Sequence, residues 1–389
     1  MSSPRVLSLS TLFPSTAQPT LGLFVERSLL AAREAGADVT VVAARGLPLW
    51  PLHRHRRYAA LATLPDIEVR HGLRVHRPRF RHWPVVGAGG TVRRMVDAVL
   101  PLARALHTRR PFDVVDAQFF FPDGPAALAV AQALGRPLSV KARGADIHHW
   151  AHERATAGQV FAAGRLADGL LAVSDAMKAD MVALGLPAER IVVHRTGLDR
   201  DRFRPLNRAS ARAEMGVTGP ALATVGALIE RKGQALVIEA LGRLPGTTLL
   251  LAGEGPDRAM LEALAVARGV AKRVRFLGSV ANDRLPLLYN AVDAVVMPSR
   301  SEGLANAWVE SLACGTPLVI SKAGGARELL RDPVAGRVVD RAPEAIADAV
   351  LHLRRIQSSP EQLSATVTEF SWEANGRALV AHWRSLVSR

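Results

Sequence analysis

The sequence predicts two doubly wound α/β domains in series. Three observations carry this reading. Short β-type apolar runs alternate with helically spaced segments. The alternation breaks where Asp, Arg and Pro cluster at 198–206, and it then restarts and runs nearly to the C-terminus. The length, 389 residues, is enough for two cores of ordinary size.

In the first half, Arg5–Ser10 reads as a strand and Phe24–Ala35 as a helix stopped by Gly36. Val39–Ala43, Asp113–Ala117, Leu138–Lys141, Gly169–Val173 and Ile191–His194 are further strand candidates. Gly124–Leu134 and Asp175–Leu184 have helical spacing between them. Such alternation implies a parallel sheet covered on both faces. The segment Leu47–Gly90 shows no clear period.

In the second half, Ala221–Val225, Thr248–Ala252, Val274–Phe276, Ala294–Met297 and Leu318–Ile320 read as strands. Lys232–Leu241, Pro256–Arg268 and Trp308–Ala313 read as the helices between them. Ser371–Leu386 is a last helix with Ser371 as its N-cap. The expected division is 1–203, 204–370 and a terminal helix at 371–389.

Composition narrows the class. About half the residues are hydrophobic and about a fifth charged, which is a globular balance. The one cysteine, Cys314, excludes an internal disulfide and suits a reducing compartment. No apolar stretch approaches the roughly 20 residues of a membrane span, and the N-terminus does not read as a signal peptide. The expected location is cytoplasmic.

The net charge is +15, almost all of it from arginine. His53–Arg57 and the set Arg74, His76, Arg77, Arg79, Arg81 and His82 are basic clusters, extended by Arg93–Arg94 and Arg109–Arg110. One reading is a solvated basic face. The other is a surface for anionic lipid or a phosphorylated acceptor at the inner face of the cell membrane. Trp50, Tyr58, Phe80 and Trp83 lie nearby, yet no nucleic-acid motif is present, and no nucleic-acid partner is expected.

Ligands of open α/β sheets bind beyond the carboxyl ends of the strands, so the loops there carry the chemistry. Gly253-Glu254-Gly255 follows a strand but has Arg258 where a dinucleotide fingerprint needs its third glycine. Gly226 to Lys232-Gly233 lacks P-loop spacing, and no His/Cys cluster has zinc-ligand spacing. Four loops remain. Thr11–Leu23 carries Gly22 just before a helix, either a close approach to a ligand or a structural turn. Arg143-Gly144-Ala145-Asp146 ends a strand, either as a salt-bridged turn or as groups at the reacting sugar and its phosphates.

In the third loop, Gly226–Gly233, Arg231 and Lys232 stand at the expected N-terminus of a helix. Cations there oppose the helix dipole, and an anionic diphosphate between them would remove the conflict. The fourth, Pro298–Pro317, places Glu302 in a loop beside Gly303 and Leu304, with Glu310 further along on a helix. Two carboxylates at different depths can hold a sugar and ribose hydroxyls; the alternative is a surface glutamate and a capping one.

At this last segment the sequence resembles family 4 of the retaining glycosyltransferases. Glu302 and Glu310 match the family's acidic pair. Their frame matches too: Pro298-Ser299, Glu302-Gly-Leu-Ala-Asn306, Glu310-Ser-Leu-Ala-Cys-Gly-Thr-Pro317, then Gly324-Gly325-Ala-Arg-Glu328. Phe13-Pro14 with Gly22-Leu-Phe-Val25, Val173-Ser174, Thr196–Asp199 with Phe203-Arg-Pro205, Leu251–Pro256 and Phe276–Val280 extend the likeness over nearly the full chain.

The resemblance implies a GT-B fold, two Rossmann-like domains facing each other across a cleft, with the last helix returning to the first domain. It implies a hexose-type sugar moved from a nucleoside-diphosphate sugar to a lipid-linked or saccharide acceptor, with retention and without metal or other cofactor. Cell-surface polysaccharide or glycolipid synthesis is the expected setting. Glu310 is expected on the ribose, and Glu302 on the transferred sugar with Gly303, Leu304 and Ala305. Lys232 and Arg231 are expected on the diphosphate, Val280 backbone at the base, and Gly22 over the phosphates. Arg143 and Asp146 are expected on the acceptor side, with Glu302, Arg143 and Lys232 the catalytic set. Two departures stand out: Ala227 where members carry arginine, a charge Arg231 is expected to replace, and Arg143 where many carry histidine. The alternatives are an epimerase or phosphorylase on the same fold, or a non-catalytic basic nucleic-acid-binding protein.

Overall fold

The computed structural model describes residues 3–49, 51, 54–82, 88–144, 146–356 and 358–388, with only the backbone of 56, 57, 88 and 89. Two compact units divide the chain: one runs to Gly197 and resumes at Trp372, the other is Leu198–Ser371. The division falls after Gly197, ahead of the expected 203, because the intervening residues bond forward. Arg200 donates to the Val367 carbonyl, Arg202 to Asn282 Oδ1, and Asn290 Nδ2 to the Arg204 carbonyl.

The strands of the first unit are β1 (Arg5–Leu9), β2 (Asp38–Val42), β3 (Arg45–Leu47), β4 (Ile67–Arg70), β5 (Leu73–His76), β6 (Arg79–Arg81), β7 (Val114–Ala117), β8 (Leu138–Ala142), β9 (Gly169–Ala172) and β10 (Ile191–Val193). Eight form one sheet in the order β10-β9-β8-β7-β1-β2-β5-β4, and β3 pairs with β6 separately. All pairs are parallel except β4 with β5. The strands β7, β8 and β9 are buried at every residue, as a parallel sheet covered on both faces requires. Val6, Leu29, Val41, Val114, Leu171 and Trp383 are among the core residues.

The second unit carries β11 (Ala221–Val225), β12 (Thr248–Ala252), β13 (Val274–Gly278), β14 (Ala294–Met297), β15 (Leu318–Ser321) and β16 (Gly336–Val339). Its sheet is wholly parallel, in the order β13-β12-β11-β14-β15-β16. Leu222, Val237, Leu249, Val296, Val319 and Ile346 belong to its core.

Several elements depart from the sequence reading. The expected helix Lys232–Leu241 is a 3₁₀ turn at Glu230–Lys232 and a separate helix at Gln234–Ala240. Gly233, at φ +74°, splits them; a Cβ there would lie 2.5 Å from the Pro298 carbonyl oxygen. The irregular segment ends in a helix, Ala88–Arg109. The short edge strand β16 was not anticipated.

The last helix, Trp372–Val387, packs within the first unit. It sits on a line of polar groups. Ser28 Oγ donates to Asn375 Oδ1 at 2.7 Å, and Asn375 Nδ2 to the Arg195 carbonyl at 2.6 Å. Trp383 Nε1 donates to Asp116 Oδ1 at 3.1 Å, and the His382 ring meets Ser139 Oγ at 3.2 Å. Such bonds fix the angle and register of the helix, which apolar packing alone leaves loose.

Candidate functional site

Each sheet has one place where successive strands leave in opposite directions. In the second unit, β12 and β13 follow β11 on one side and β14 returns to the other. The loops after β11 and β14 therefore splay apart, and this is where ligands bind in such sheets. Arg231 and Lys232 come from the first loop and Glu302 from the second.

The three side chains meet. Lys232 Nζ donates to Glu302 Oε1 at 2.5 Å, and Arg231 Nη1 lies 3.8 Å from Oε2. Arg231 also donates to the Ser301 carbonyl. Glu302 is 9% exposed, while the Arg231 side chain is 41% exposed. Two cations thus share one nearly buried carboxylate, leaving a surplus positive charge at the switch point. Backbone approach makes this possible. Gly324, at φ +48°, lies so close that a Cβ would come 2.3 Å from both the Glu302 and Gly303 carbonyl oxygens. The Gly325 N–H bonds the Gly303 carbonyl at 2.8 Å.

Lys232 ends a 3₁₀ turn and stands one residue before Gly233, the N-cap of the helix Gln234–Ala240. The site is marked by the convergence of three charges at the crossing of two loops. Glu302 is not a surface carboxylate: it is buried. Ala227 is exposed, and Arg231 lies on the same loop.

Glu310 lies on the helix Asn306–Ala313, which begins after Ala305. It is partly buried, and the Tyr289 hydroxyl donates to its Oε2 at 2.9 Å. Burial pushes its carboxyl up to about 7; the Tyr289 bond and Arg202 pull the other way. Leu304 is buried at the foot of that helix, and Val280 lies just beyond β13, whose end carries Gly278 at φ +68°. Burial raises the Cys314 thiol further, so it is inert.

In the first unit the corresponding switch lies between β1 and β7. Here the Thr11 N–H bonds both carboxylate oxygens of Asp123 at 3.0 Å. Asp123 is fully buried, and burial raises its carboxyl to about 7. This residue escaped the sequence reading; its signal was a carboxylate at the start of a buried helix. Gly22, at φ +71°, precedes the helix Leu23–Glu34, and a Cβ there would strike the Leu12 carbonyl at 2.2 Å. Its glycine is therefore required by the fold of its own loop.

Arg143 follows β8. Its Nε donates to the Gln118 carbonyl and its Nη2 to Gln118 Oε1, both at 2.6 Å. The guanidinium also stacks 4.7 Å over the Phe24 ring. Gln118 Nε2 donates to Asp116 Oδ2 at 2.7 Å, so Arg143 is tied through Asp116 to Trp383 of the last helix. Burial lowers Arg143 to about 10, opposed by Asp146, Asp116 and Asp123, and it stays charged at neutral pH.

Asp146 lies on the loop after β8. It is fully buried, and its carboxylate accepts the N–H groups of Phe120, Arg143, Gly144 and Ile147. It organises the loop that presents Arg143. Ala145 of the same loop lies outside the described residues. Beneath it, His194 Nε2 donates to the Asn375 carbonyl at 2.9 Å, which leaves Nδ1 to accept from Lys141 Nζ at 2.6 Å. Burial pushes both groups toward their neutral forms.

The basic clusters are less uniform than their sequence suggests. His76 and Arg77 are buried, Arg77 pairs with Glu68, and Arg79 pairs with Asp66. Arg74, Arg79 and Arg81 are exposed. Trp50, His53 and Trp83 lie outside the described residues, as do the side chains of Arg56 and Arg57. Among the described residues, no helix is long and apolar enough to cross a membrane.

Known proteins resemble this chain in sequence and fold. Residues 24–202 match the model of Glycosyltransferase Family 4, and residues 209–369 that of Glycosyl transferases group 1. The D-inositol 3-phosphate glycosyltransferase of Mycobacterium tuberculosis is 34% identical over 237 residues, which is 57% of this chain and 49% of that one. The matched part is thus about half the length of that relative. A sucrose-phosphate synthase from Thermosynechococcus elongatus superposes with a TM-score of 0.83 over 99% of both chains, at 20% identity. Anabaena HepE, solved in complex with UDP and glucose, superposes with a TM-score of 0.69 over 98% of this chain and 97% of that one, at 22% identity. These structures establish the GT-B fold. With the two models matched in order along its two halves, the chain belongs to the group 1, family 4 glycosyltransferases.

Proposed function

We propose that the protein transfers a hexose-type glycosyl group from a nucleoside-diphosphate sugar to an acceptor hydroxyl, with retention of configuration. The observation that carries this is the Lys232–Glu302–Arg231 cluster at the switch point of the second unit. A diphosphate needs cations whose charge is not already cancelled, and two cations on one carboxylate supply that. HepE has been crystallised with UDP-glucose, which supports the same donor class here.

In this reading the bond between the anomeric carbon and the diphosphate oxygen breaks as the acceptor oxygen attacks from the same face. The acceptor proton passes to the departing diphosphate. Lys232 and Arg231 offset the charge that grows on that group, the role a divalent metal takes in other transferases. Glu302 accepts hydroxyls of the transferred sugar, and Glu310 those of the ribose. The backbone of Gly303, Leu304 and Ala305 lines the sugar, and Val280 the base. Arg143 serves an acceptor carrying negative charge. The acceptor is a lipid-linked or saccharide hydroxyl of a cell-surface polymer or glycolipid, met at an anionic membrane surface.

The test is turnover with and without acceptor across UDP-, GDP- and ADP-sugars. Transfer dependent on acceptor and resistant to EDTA is expected. Conversion of the donor sugar without acceptor would mark an epimerase instead, and loss of activity in EDTA would remove the metal-free account.

A further inference from the structure

A charged cavity lies in the same unit, at the opposite end of the strands from the Lys232–Glu302 cluster. It opens at Pro220, Ala294 and Pro317, where β11, β14 and β15 begin, whereas Lys232 and Glu302 lie beyond the strand ends. Its volume is about 570 Å³, within the roughly 300–1,000 Å³ typical of small-molecule sites.

Three arginines from two helices line it around a single carboxylate. Arg208 Nη2 lies 2.5 Å and Arg212 Nη1 3.8 Å from Asp293 Oδ1, and Arg354 Nη2 lies 3.4 Å from Oδ2. Asp293 also accepts the Ala221 N–H at 3.0 Å, which fixes it at the start of β11. Three positive charges face one negative charge, a surplus of two. Arg208 and Arg212 are held in place by the Val292 and Ala291 carbonyls. Arg354 Nε is buried and has no acceptor among the described residues. Val350 and Leu353 supply an apolar wall beside the cluster.

We propose that this cavity binds a small phosphate monoester, its phosphate on Arg208, Arg212 and Arg354 and its body against the Val350–Leu353 wall. Guanidinium groups preorganised by backbone carbonyls match phosphate oxygens, and a dianion balances the surplus charge. The site is separate from the donor cluster and independent of the function proposed above.

Titration calorimetry with octyl phosphate tests it. The wild type should bind saturably. Arg208→Ala, a truncation at a half-exposed side chain, should weaken binding at least about tenfold. Asp293→Asn keeps the acceptor for Ala221 and removes the competing charge, so it should tighten binding several-fold. Lys232→Ala should leave binding unchanged. No saturable binding to the wild type, or loss through Lys232→Ala in place of Arg208→Ala, would overturn the site. Competition identifies the source. Displacement by dioctanoyl phosphatidic acid alone assigns a lipid phosphate, displacement by glucose 6-phosphate alone a free metabolite, and displacement by neither overturns the proposal.

Discussion

At the scale of single residues, the donor cluster rests on Lys232. Its ammonium is matched to Glu302 at 2.5 Å and is the less exposed of the two cations. Lys232→Ala is expected to lower kcat roughly 10²–10³-fold, the usual effect of removing one preorganised group that stabilises developing charge. Steady-state kinetics with a saturating donor checks this; wild-type turnover would remove Lys232 from the chemistry. Glu310 gives a pH signature. Its carboxyl is raised from the ordinary 4.5 to about 7, so it is neutral below that value and an acceptor of ribose hydroxyls above it. Donor affinity should rise between pH 6 and 8 in the wild type and be flat in Glu310→Gln. The same shift acts on stability in the opposite sense. The folded state holds a proton that the unfolded chain has released above about 4.5, so that contribution is present below 4.5 and lost as pH rises through about 7. Lys232 and Glu302 lie in the loops after β11 and β14, where the sequence reading sought a site, and Glu310 lies on the helix that follows. Asp123 and Gln118 were not. Their partners, Thr11 and Arg143, are 112 and 25 positions away, and only the parallel neighbours β1, β7 and β8 bring them together.

At the scale of elements, two features position the site. Gly233 separates the 3₁₀ turn carrying Lys232 from the next helix and lies against Pro298 at the end of β14. Gly233→Ala should force that contact apart, destabilise the protein by about 1–3 kcal/mol as a strained left-handed position with a backbone clash, and weaken donor binding with it. Denaturant melts and donor titration check both; a neutral variant would show that the loop relaxes freely. The last helix is the second feature. Asn375→Ala removes two side-chain hydrogen bonds, to Ser28 and the Arg195 carbonyl, and should cost about 2 kcal/mol. The regular elements were legible because the helices bury one stripe and the strands read as short apolar runs. The helix at 88–109 and the pair β3–β6 were not, since arginines interrupt their apolar pattern: Arg93, Arg104 and Arg109 stand exposed on the helix, and Arg45 of β3 is buried against Asp66.

At the scale of the whole molecule, the sequence reading of two doubly wound units agrees with the two parallel-rich sheets. The parallel β–α rhythm survives in sequence because each strand must be apolar on both faces. The net charge of +15 was harder to interpret. Part of it is internal: Arg77 and Arg45 are buried, and the arginines at Asp293 line a cavity. Composition counts charges without their partners, and several of these arginines have them. The central claim is that the second unit holds a nucleoside-diphosphate sugar through Lys232 and Glu302. The most direct measurement is a thermal-shift and calorimetry screen of UDP-, GDP- and ADP-sugars against the wild type and Lys232→Ala. At least one donor should bind the wild type and lose about tenfold or more in affinity in the variant. Equal affinity in the two proteins, or no donor binding alongside salt-steep binding to duplex DNA, would contradict it.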